Sequence, residues 1–204
     1  MDNKNIFIEI ALTILFLAVL SPAILQATDE NLKDNSFLKG KDIFLKECSA
    51  CHGIDGKGLE GVARNLTIWG SEDGVIDTIA NGSKGLKYTI KEMPSNMASD
   101  KNLQAVAAYM AKDISSIKTT SNENLIAQGK ESWGICASCH GDDGKGMGEI
   151  APDLTLYGNF EFVVDVLNRG KEGHIGDMPS FKETLSDEEK IVVGKYVISL
   201  SKDD

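Results

Sequence analysis

The sequence lacks an excess of basic residues, and this absence excludes a large class of partners. It carries 21 lysines and arginines against 31 aspartates and glutamates, a formal net charge of −10 at pH 7. Because nucleic-acid binding depends on clustered positive charge, we expect no nucleic-acid partner. The imbalance is uneven, since residues 28–118 hold 13 acids and 12 bases whereas residues 119–204 hold 16 acids and 8 bases. The acidic second half either docks a basic protein or keeps the chain soluble.

Cysteine and histidine are also scarce, and nearly all of them fall in two short motifs. The chain has four cysteines and three histidines. The motifs read Cys48-Ser-Ala-Cys51-His52 and Cys136-Ala-Ser-Cys139-His140. No spare thiol remains, and His174 is the one histidine outside the motifs.

An apolar run stands at the N-terminus, in residues 1–27. As a helix, residues 6–25 are long enough to cross the hydrocarbon core of a bilayer. The compact run at residues 10–20 also suits the apolar part of a signal peptide that is cut after Ala27. The sequence therefore predicts an N-terminal hydrophobic helix that is either a membrane anchor or a cleaved signal. Both interpretations place residues 28–204 across the membrane, either anchored there or released as a soluble protein.

The rest of the chain is one unit written twice. The Cys48 motif returns at Cys136, an offset of 88 residues, and the same offset carries Trp69-Gly70 onto Tyr157-Gly158. A Met-Pro pair also recurs, at Met93 and Met178, with an offset of 85. Two copies are too few for a solenoid. We therefore predict two tandem domains, residues 28–118 and 119–204, joined by a polar linker around residues 115–124.

Strand signals are nearly absent, and apolar periodicity predicts the same short helices in each repeat. In the first repeat they lie near residues 37–47, 74–80 and 101–114, and in the second near residues 124–135, 160–168 and 187–200. Ser186 and Glu189 predict a capping box at the start of the last helix. These patterns together predict an all-α fold.

The C-x-x-C-H pattern is the attachment motif of c-type haem. Two thiols three positions apart can both reach the vinyl groups on one edge of a porphyrin, and the adjacent histidine then points its ring at the iron. We therefore predict two covalently bound haem c groups. The predicted attachment residues are Cys48, Cys51, Cys136 and Cys139, with His52 and His140 as axial iron ligands.

Three other interpretations of the cysteine pairs fit the sequence less well. A zinc ribbon needs its two pairs about 15–20 residues apart, far closer than these. A thioredoxin-like redox motif needs a βαβ context and no histidine after the second cysteine. A structural disulfide within each motif suits an oxidising compartment but does not explain the repeated histidine.

The sixth iron ligand is predicted from the recurring Met-Pro pairs. Cytochromes c use histidine and methionine as axial ligands, and proline stiffens the loop that presents the methionine. Met93 and Met178 are the predicted ligands, Met97 is a rival in the first repeat, and His174 is a rival in the second. The predicted metal ligands are thus His52, Met93, His140 and Met178.

Several other residues are predicted to support the haem sites. A proximal histidine normally donates its second ring N–H to a backbone carbonyl, and Pro152 is well placed to present one to His140. Arg64 holds the matching position in the first repeat, and its guanidinium either neutralises a haem propionate or is solvated. Trp69 and Tyr157 occupy equivalent places and either pack on haem with a hydrogen bond to a propionate or simply fill the core.

Iron held from both sides has no open coordination site, so we predict one-electron exchange and no enzymatic activity. No catalytic residue is expected. A two-haem peroxidase is the enzymatic alternative, and it would need one iron that lacks its methionine.

Each repeat resembles a class I cytochrome c domain, and the tandem resembles the two-haem c-type subunit of cbb3-type cytochrome c oxidases. The runs GKDIFLKECSACHG, NLTIWG, IANGSKG and HIGDMPSF carry this likeness, most strongly to epsilonproteobacterial oxidases. The resemblance implies a membrane-anchored subunit that passes electrons from a periplasmic cytochrome donor toward the catalytic subunit of the oxidase. It also implies the axial pairs His52 with Met93 and His140 with Met178. The two-haem cytochromes of the c4 class are similar too, and they imply a free-standing periplasmic shuttle.

Overall fold

A computed structural model describes most of the chain beyond its N-terminal segment. The described residues are 35–84, 88, 92–115, 117–148, 150–172 and 175–201. The predicted N-terminal helix at residues 1–27 and His174 both lie outside these ranges. Within them, no helix is both long and apolar enough to cross a membrane. The chain divides into two compact units, Met1–Leu38 and Lys39–Asp204, and the second holds both motifs.

Each repeat contributes short helices joined by glycine-rich loops. In the first repeat, helix α1 covers residues 35–43 and continues through a π-helical turn, Phe44–Cys48, into helix α2, Ser49–His52. The remaining elements of this repeat are α3 (Glu72–Asn81), α4 (Asp100–Tyr109) and a second π-helical turn (Met110–Ile114). In the second repeat, the helices are α5 (Glu123–Ser132), α6 (Gly134–His140), a 3-10 turn (Leu154–Leu156), α7 (Phe160–Arg169) and α8 (Asp187–Leu200). Between α7 and α8, strands β1 (Lys171–Glu172) and β2 (Asp177–Met178) pair antiparallel.

The predicted all-α fold is confirmed, because the described residues are mostly helical. The capping box is also confirmed: the Ser186 side chain accepts from the backbone N–H of Glu189, and the Glu189 carboxylate accepts from the backbone N–H of Ser186. The short hairpin β1–β2 was not predicted, since two-residue strands are too short to show an alternating pattern.

The helices that open and close the repeats pack across the repeat boundary. Helix α8 of the second repeat contacts the opening helical segment of the first. A Cβ at Gly40 would collide with the carbonyl oxygen of Val192, so only glycine allows this close crossing. One turn further on, the rings of Phe44 and Tyr196 lie with their centroids 5.3 Å apart.

The same crossing is made a second time, between α4 and α5. A Cβ at Gly129 would collide with the carbonyl oxygen of Ala105, and the Tyr109 and Trp133 ring centroids are 5.6 Å apart. Only residues 115–122 separate the π-helical turn that follows α4 from the start of α5, and helices joined by a short connection usually pack side by side. The repeats are therefore tandem in sequence but interleaved in their packing.

Equivalent residues of the two repeats meet where the halves join. Trp69 and Tyr157 have ring centroids 5.0 Å apart, and Phe162 contacts both rings. A Cβ at Gly70 would lie 3.2 Å from the Cα of Gly158. Residues that are equivalent in the two repeats therefore contact each other at this join.

Candidate functional site: two paired C-x-x-C-H helices

Each motif histidine is held by a backbone carbonyl twelve residues further along the chain. Nδ1 of His52 lies 3.1 Å from the carbonyl oxygen of Arg64, and Nδ1 of His140 lies 3.1 Å from that of Pro152. A carbonyl can only accept, so each Nδ1 carries the proton and each Nε2 keeps a lone pair for a metal. The carbonyl predicted to hold each histidine is thus confirmed in both repeats.

Burial tunes both rings toward the neutral form that binds iron. Desolvation lowers the pKa of His52 and of His140, and the carbonyl hydrogen bond partly opposes this shift. A neutral imidazole with one free nitrogen is the form that ligates a metal.

All four cysteines are described, and none forms a disulfide. Burial raises the pKa of Cys48 to about 11, with a smaller contribution from the Glu47 carboxylate, and burial also raises the pKa of Cys136. Cys51 is exposed, and Cys139 is half-buried. Burial therefore favours the protonated thiol at Cys48 and Cys136, a state that suits addition across a vinyl group better than binding of a bare metal ion.

One cavity of about 560 Å³ runs past both motifs, and its size lies within the range of cofactor pockets. Its walls are largely apolar, as a porphyrin requires. The predicted ligands all line it: His52, Met93, His140 and Met178, together with the four cysteines. The residues present therefore fit haem.

The packing clusters divide these residues differently from the repeats. The first cluster contains Trp133, and Met93 and Cys136 both pack against it. The second cluster contains Phe44, and Met178 and Cys48 both pack against it. The structure thus groups each methionine with the motif of the other repeat, because the exchanged helices bring the opening segment of one repeat onto the closing segments of the other. The within-repeat pairs implied by the resemblance disagree with this packing.

Each methionine sits on a short backbone bridge that follows a helix. Ser83 exchanges backbone hydrogen bonds with Met93, and Lys171 pairs with Met178 in the β1–β2 hairpin. The rival Met97 packs against the same cluster as Met93, so packing does not separate these two. In both repeats a glycine at positive φ, Gly82 or Gly170, precedes the bridge.

The two aromatic residues predicted to approach haem lie at the join between the repeats. Trp69 and Tyr157 both line the cavity, and the Tyr157 hydroxyl is buried close to the backbone of Gly70. Burial raises the pKa of Tyr157 to about 12. Contact of either side chain with a propionate stays a prediction.

The sequence analysis left two interpretations of Arg64, a contact with a haem propionate or a solvated guanidinium. The guanidinium is mostly buried, so the second interpretation is wrong. Its guanidinium donates to Thr78 Oγ1 at 3.1 Å and to the carbonyl of Gly82 at 3.0 Å, and it lies 3.2 Å from the Asp77 carboxylate. It lines the cavity together with Arg169 and Lys171, two cations that the sequence analysis did not single out.

Two C-x-x-C-H helices, each with a carbonyl-held histidine and both opening on one apolar cavity, define a two-haem c-type cytochrome. The sequence profile of the family described as cytochrome c oxidase, cbb3-type, subunit III matches residues 35–110 and 125–197. The chain belongs to this family. Its cofactors are two covalently bound haem c groups, as the motifs predict.

Individual relatives carry the same description. The chain is 47% identical over 168 residues to the cbb3-type cytochrome c oxidase subunit CcoP of Helicobacter pylori (strain 52), which covers 79% of this chain and 57% of the relative. The same subunit of Helicobacter pylori (strain ATCC 700392 / 26695) is 50% identical over 149 residues, 70% and 52% of the two chains. That of Rubrivivax gelatinosus is 32% identical over 173 residues, 79% and 54% of the two chains. The chain thus spans about half the length of these relatives.

Proposed function

We propose that this chain carries single electrons through its two haems in a respiratory chain and passes them to a cbb3-type terminal oxidase. The observation that carries the proposal is the shared cavity, because both C-x-x-C-H motifs and both methionines line it. Each haem supplies one-electron exchange between Fe³⁺ and Fe²⁺. A shared cavity keeps the two electron sites close, as a relay needs.

The axial pairs that the packing favours are His52 with Met178 and His140 with Met93. Each pair joins a motif to the methionine that packs against the same cluster as a cysteine of that motif. An iron with two strong protein ligands has no position left for oxygen or peroxide. We therefore infer that the chain is an electron carrier and not an enzyme.

The residues around each pair hold the ligands in place. The carbonyls of Arg64 and Pro152 fix the ring orientation of the histidines, and the hairpin and bridge fix the methionine loops. Rigid ligands limit the reorganisation that accompanies each change of iron charge, which favours fast transfer.

Partners and location follow from the relatives, which are named as subunits of cbb3-type oxidases. On this basis the acceptor is the catalytic subunit of such an oxidase, and the donor is a periplasmic cytochrome. The chain would then act on the periplasmic side of the inner membrane, with residues 1–27 as its anchor.

The test is whether the chain exchanges electrons with an oxidase and stays bound to it. Membranes that contain an affinity-tagged chain are solubilised, and the purified material is analysed for a haem–copper subunit and by intact mass for two haems. Rapid mixing of the reduced chain with the oxidase should then oxidise both haems. The Met93→Ala/Met178→Ala variant is the control, and its electron transfer should be disturbed.

Three results would contradict the proposal. Recovery of the chain without any oxidase subunit would favour a free-standing shuttle of the c4 kind. A high-spin resting spectrum that binds carbon monoxide would favour a peroxidase. A mass without added porphyrin would remove the electron-carrying chemistry altogether.

A further inference from the structure

The cations that line the cavity are distributed unequally between the two repeats. Arg169 and Lys171 of the second repeat stand where the first repeat has Asn81 and Ser83, at the common offset of 88. Arg64 of the first repeat stands where the second has Pro152. Each of the three positions is therefore charged in one repeat and uncharged in the other.

The interleaved packing brings these three residues to the same haem site. Lys171 is the strand partner of Met178, and Arg169 precedes it by two residues at the end of α7. The Arg64 guanidinium lies near the Lys171 ammonium, and the Arg64 carbonyl holds His52, whose motif cysteine Cys48 packs against the same cluster as Met178. If each repeat folded separately, Arg64 would lie beside the haem of the first repeat, and Arg169 and Lys171 would lie beside the haem of the second.

Part of this positive charge has no partner within the described residues. Arg64 pairs with Asp77, and Nε of Arg169 lies 2.7 Å from the Asp165 carboxylate. Nη1 of Arg169 is buried and makes no hydrogen bond, and Lys171 has no ion pair among the described residues.

The remaining charges on the cavity wall do not cancel this cluster. Glu47, Glu92 and Asp177 line the cavity, and all three carboxylates belong to residues at least partly exposed to solvent. The buried Nη1 of Arg169, which has no acceptor among the described residues, and the partly buried ammonium of Lys171, which has no ion pair among them, suit an anion between them. A haem carries two carboxylates, its propionates, and is the anion that this cavity fits.

We propose that Arg64, Arg169 and Lys171 bind the propionates of the haem ligated by Met178, and that they raise its reduction potential above that of the haem ligated by Met93. Nearby positive charge stabilises the reduced haem, because reduction makes the site more negative. A single electron added to the two haems should therefore reside mainly on the haem ligated by Met178. Reduction adds one electron to the iron, and no bond forms or breaks. The inference rests on the two-haem relay proposed above.

The test measures the reduction potential of each haem in a variant in which the potential of the other haem has been lowered by a change of axial ligand. Methionine raises haem potential relative to histidine, so Met93→His should leave one haem at high potential, and Met178→His should leave the other. In the Met93→His background, Lys171→Met should lower the equilibrium constant for reduction about tenfold, equivalent to about 59 mV for one electron. In the Met178→His background it should change the constant less than about twofold.

Two controls separate a local charge effect from disruption of the fold. Lys171→Arg keeps the charge and should restore the wild-type potential. Lys101→Met removes a charge from an exposed position on α4 and should leave both potentials unchanged. If Lys171→Met does not yield holoprotein, Lys171→Gln takes its place. Infrared redox difference spectra with carboxylate-labelled haem give a second measurement, in which the substitution should shift a propionate band only in the Met93→His background.

Equal shifts in both backgrounds, a shift confined to the Met178→His background, or no shift in either would overturn the proposal. If neither methionine variant removes a high-potential haem, it is the assignment of the axial ligands in the relay that fails.

Discussion

At the scale of single residues, the best-determined feature of the site is the pair of histidine–carbonyl contacts. Both are 3.1 Å long and join a motif histidine to a carbonyl twelve residues later. They could be predicted because the loop between the two residues has the same length in both repeats, with three of its four glycines at matching positions. The change from Pro152 to Arg64 is tolerated, since a backbone carbonyl does not depend on its side chain.

The crossed axial pairs yield a prediction that single-haem variants can test. In Cys48→Ala/Cys51→Ala, only the second motif attaches haem. If His140 pairs with Met93, Met93→Ala in this background should produce a high-spin spectrum, whereas Met178→Ala should leave the spectrum low-spin.

The mirror-image variant is the matched control. With Cys136→Ala/Cys139→Ala, the effects of the two methionine substitutions should exchange. Electronic absorption and electron paramagnetic resonance report the spin state in each case. Sensitivity to the methionine of the same repeat in both backgrounds would instead restore the within-repeat pairs.

At the scale of elements, helix positions were predicted well and their partners were not. The helices predicted near residues 101–114 and 187–200 appear as Asp100–Ile114, with a π-helical final turn, and Asp187–Leu200. The sequence patterns within each repeat do not show which opening helix packs against which of these two closing helices. Gly40 with Phe44 and Gly129 with Trp133 form the same glycine–aromatic surface, so either would suit either closing helix.

The close crossing of α4 and α5 predicts a strong effect of one methyl group. Gly129→Ala places a Cβ against the Ala105 carbonyl and should lower the free energy of unfolding by about 1–3 kcal/mol. The control is Gly134→Ala, where a Cβ meets no atom within 4 Å and should stabilise the helix by up to about 1 kcal/mol. Denaturant unfolding of the holoprotein measures both. Equal changes in the two variants would show that the helices do not cross here.

At the scale of the whole molecule, the uneven charge bears on encounter with partners. The second half carries most of the net negative charge, and opposite charges on two proteins speed their association. Electron exchange with a basic redox protein should therefore slow as salt rises from about 10 mM to about 150 mM, where the Debye length falls from about 30 Å to about 8 Å.

Stopped-flow kinetics of two triple variants can locate this effect. Glu131→Gln/Glu161→Gln/Glu183→Gln removes exposed charges of the second half and should flatten the salt dependence. Glu60→Gln/Asp73→Asn/Asp100→Asn removes as many exposed charges from the first half and should change it less. An equal response of the two variants would mean that the acidic half serves solubility alone.

The sequence by itself determined the chemistry: two haem attachment motifs, the residue types that can ligate iron, the carbonyl behind each histidine, and the all-α framework. Each of these depends on residues close together in the chain or on the repeat, where spacing and period are visible. Only the tertiary structure decided which methionine shares a cluster with which motif, and that Arg64, Arg169 and Lys171 meet at one site. The two repeats present nearly interchangeable helix surfaces, so local patterns leave their pairing open. The short connection at residues 115–122 and the contacts between distant segments resolve it.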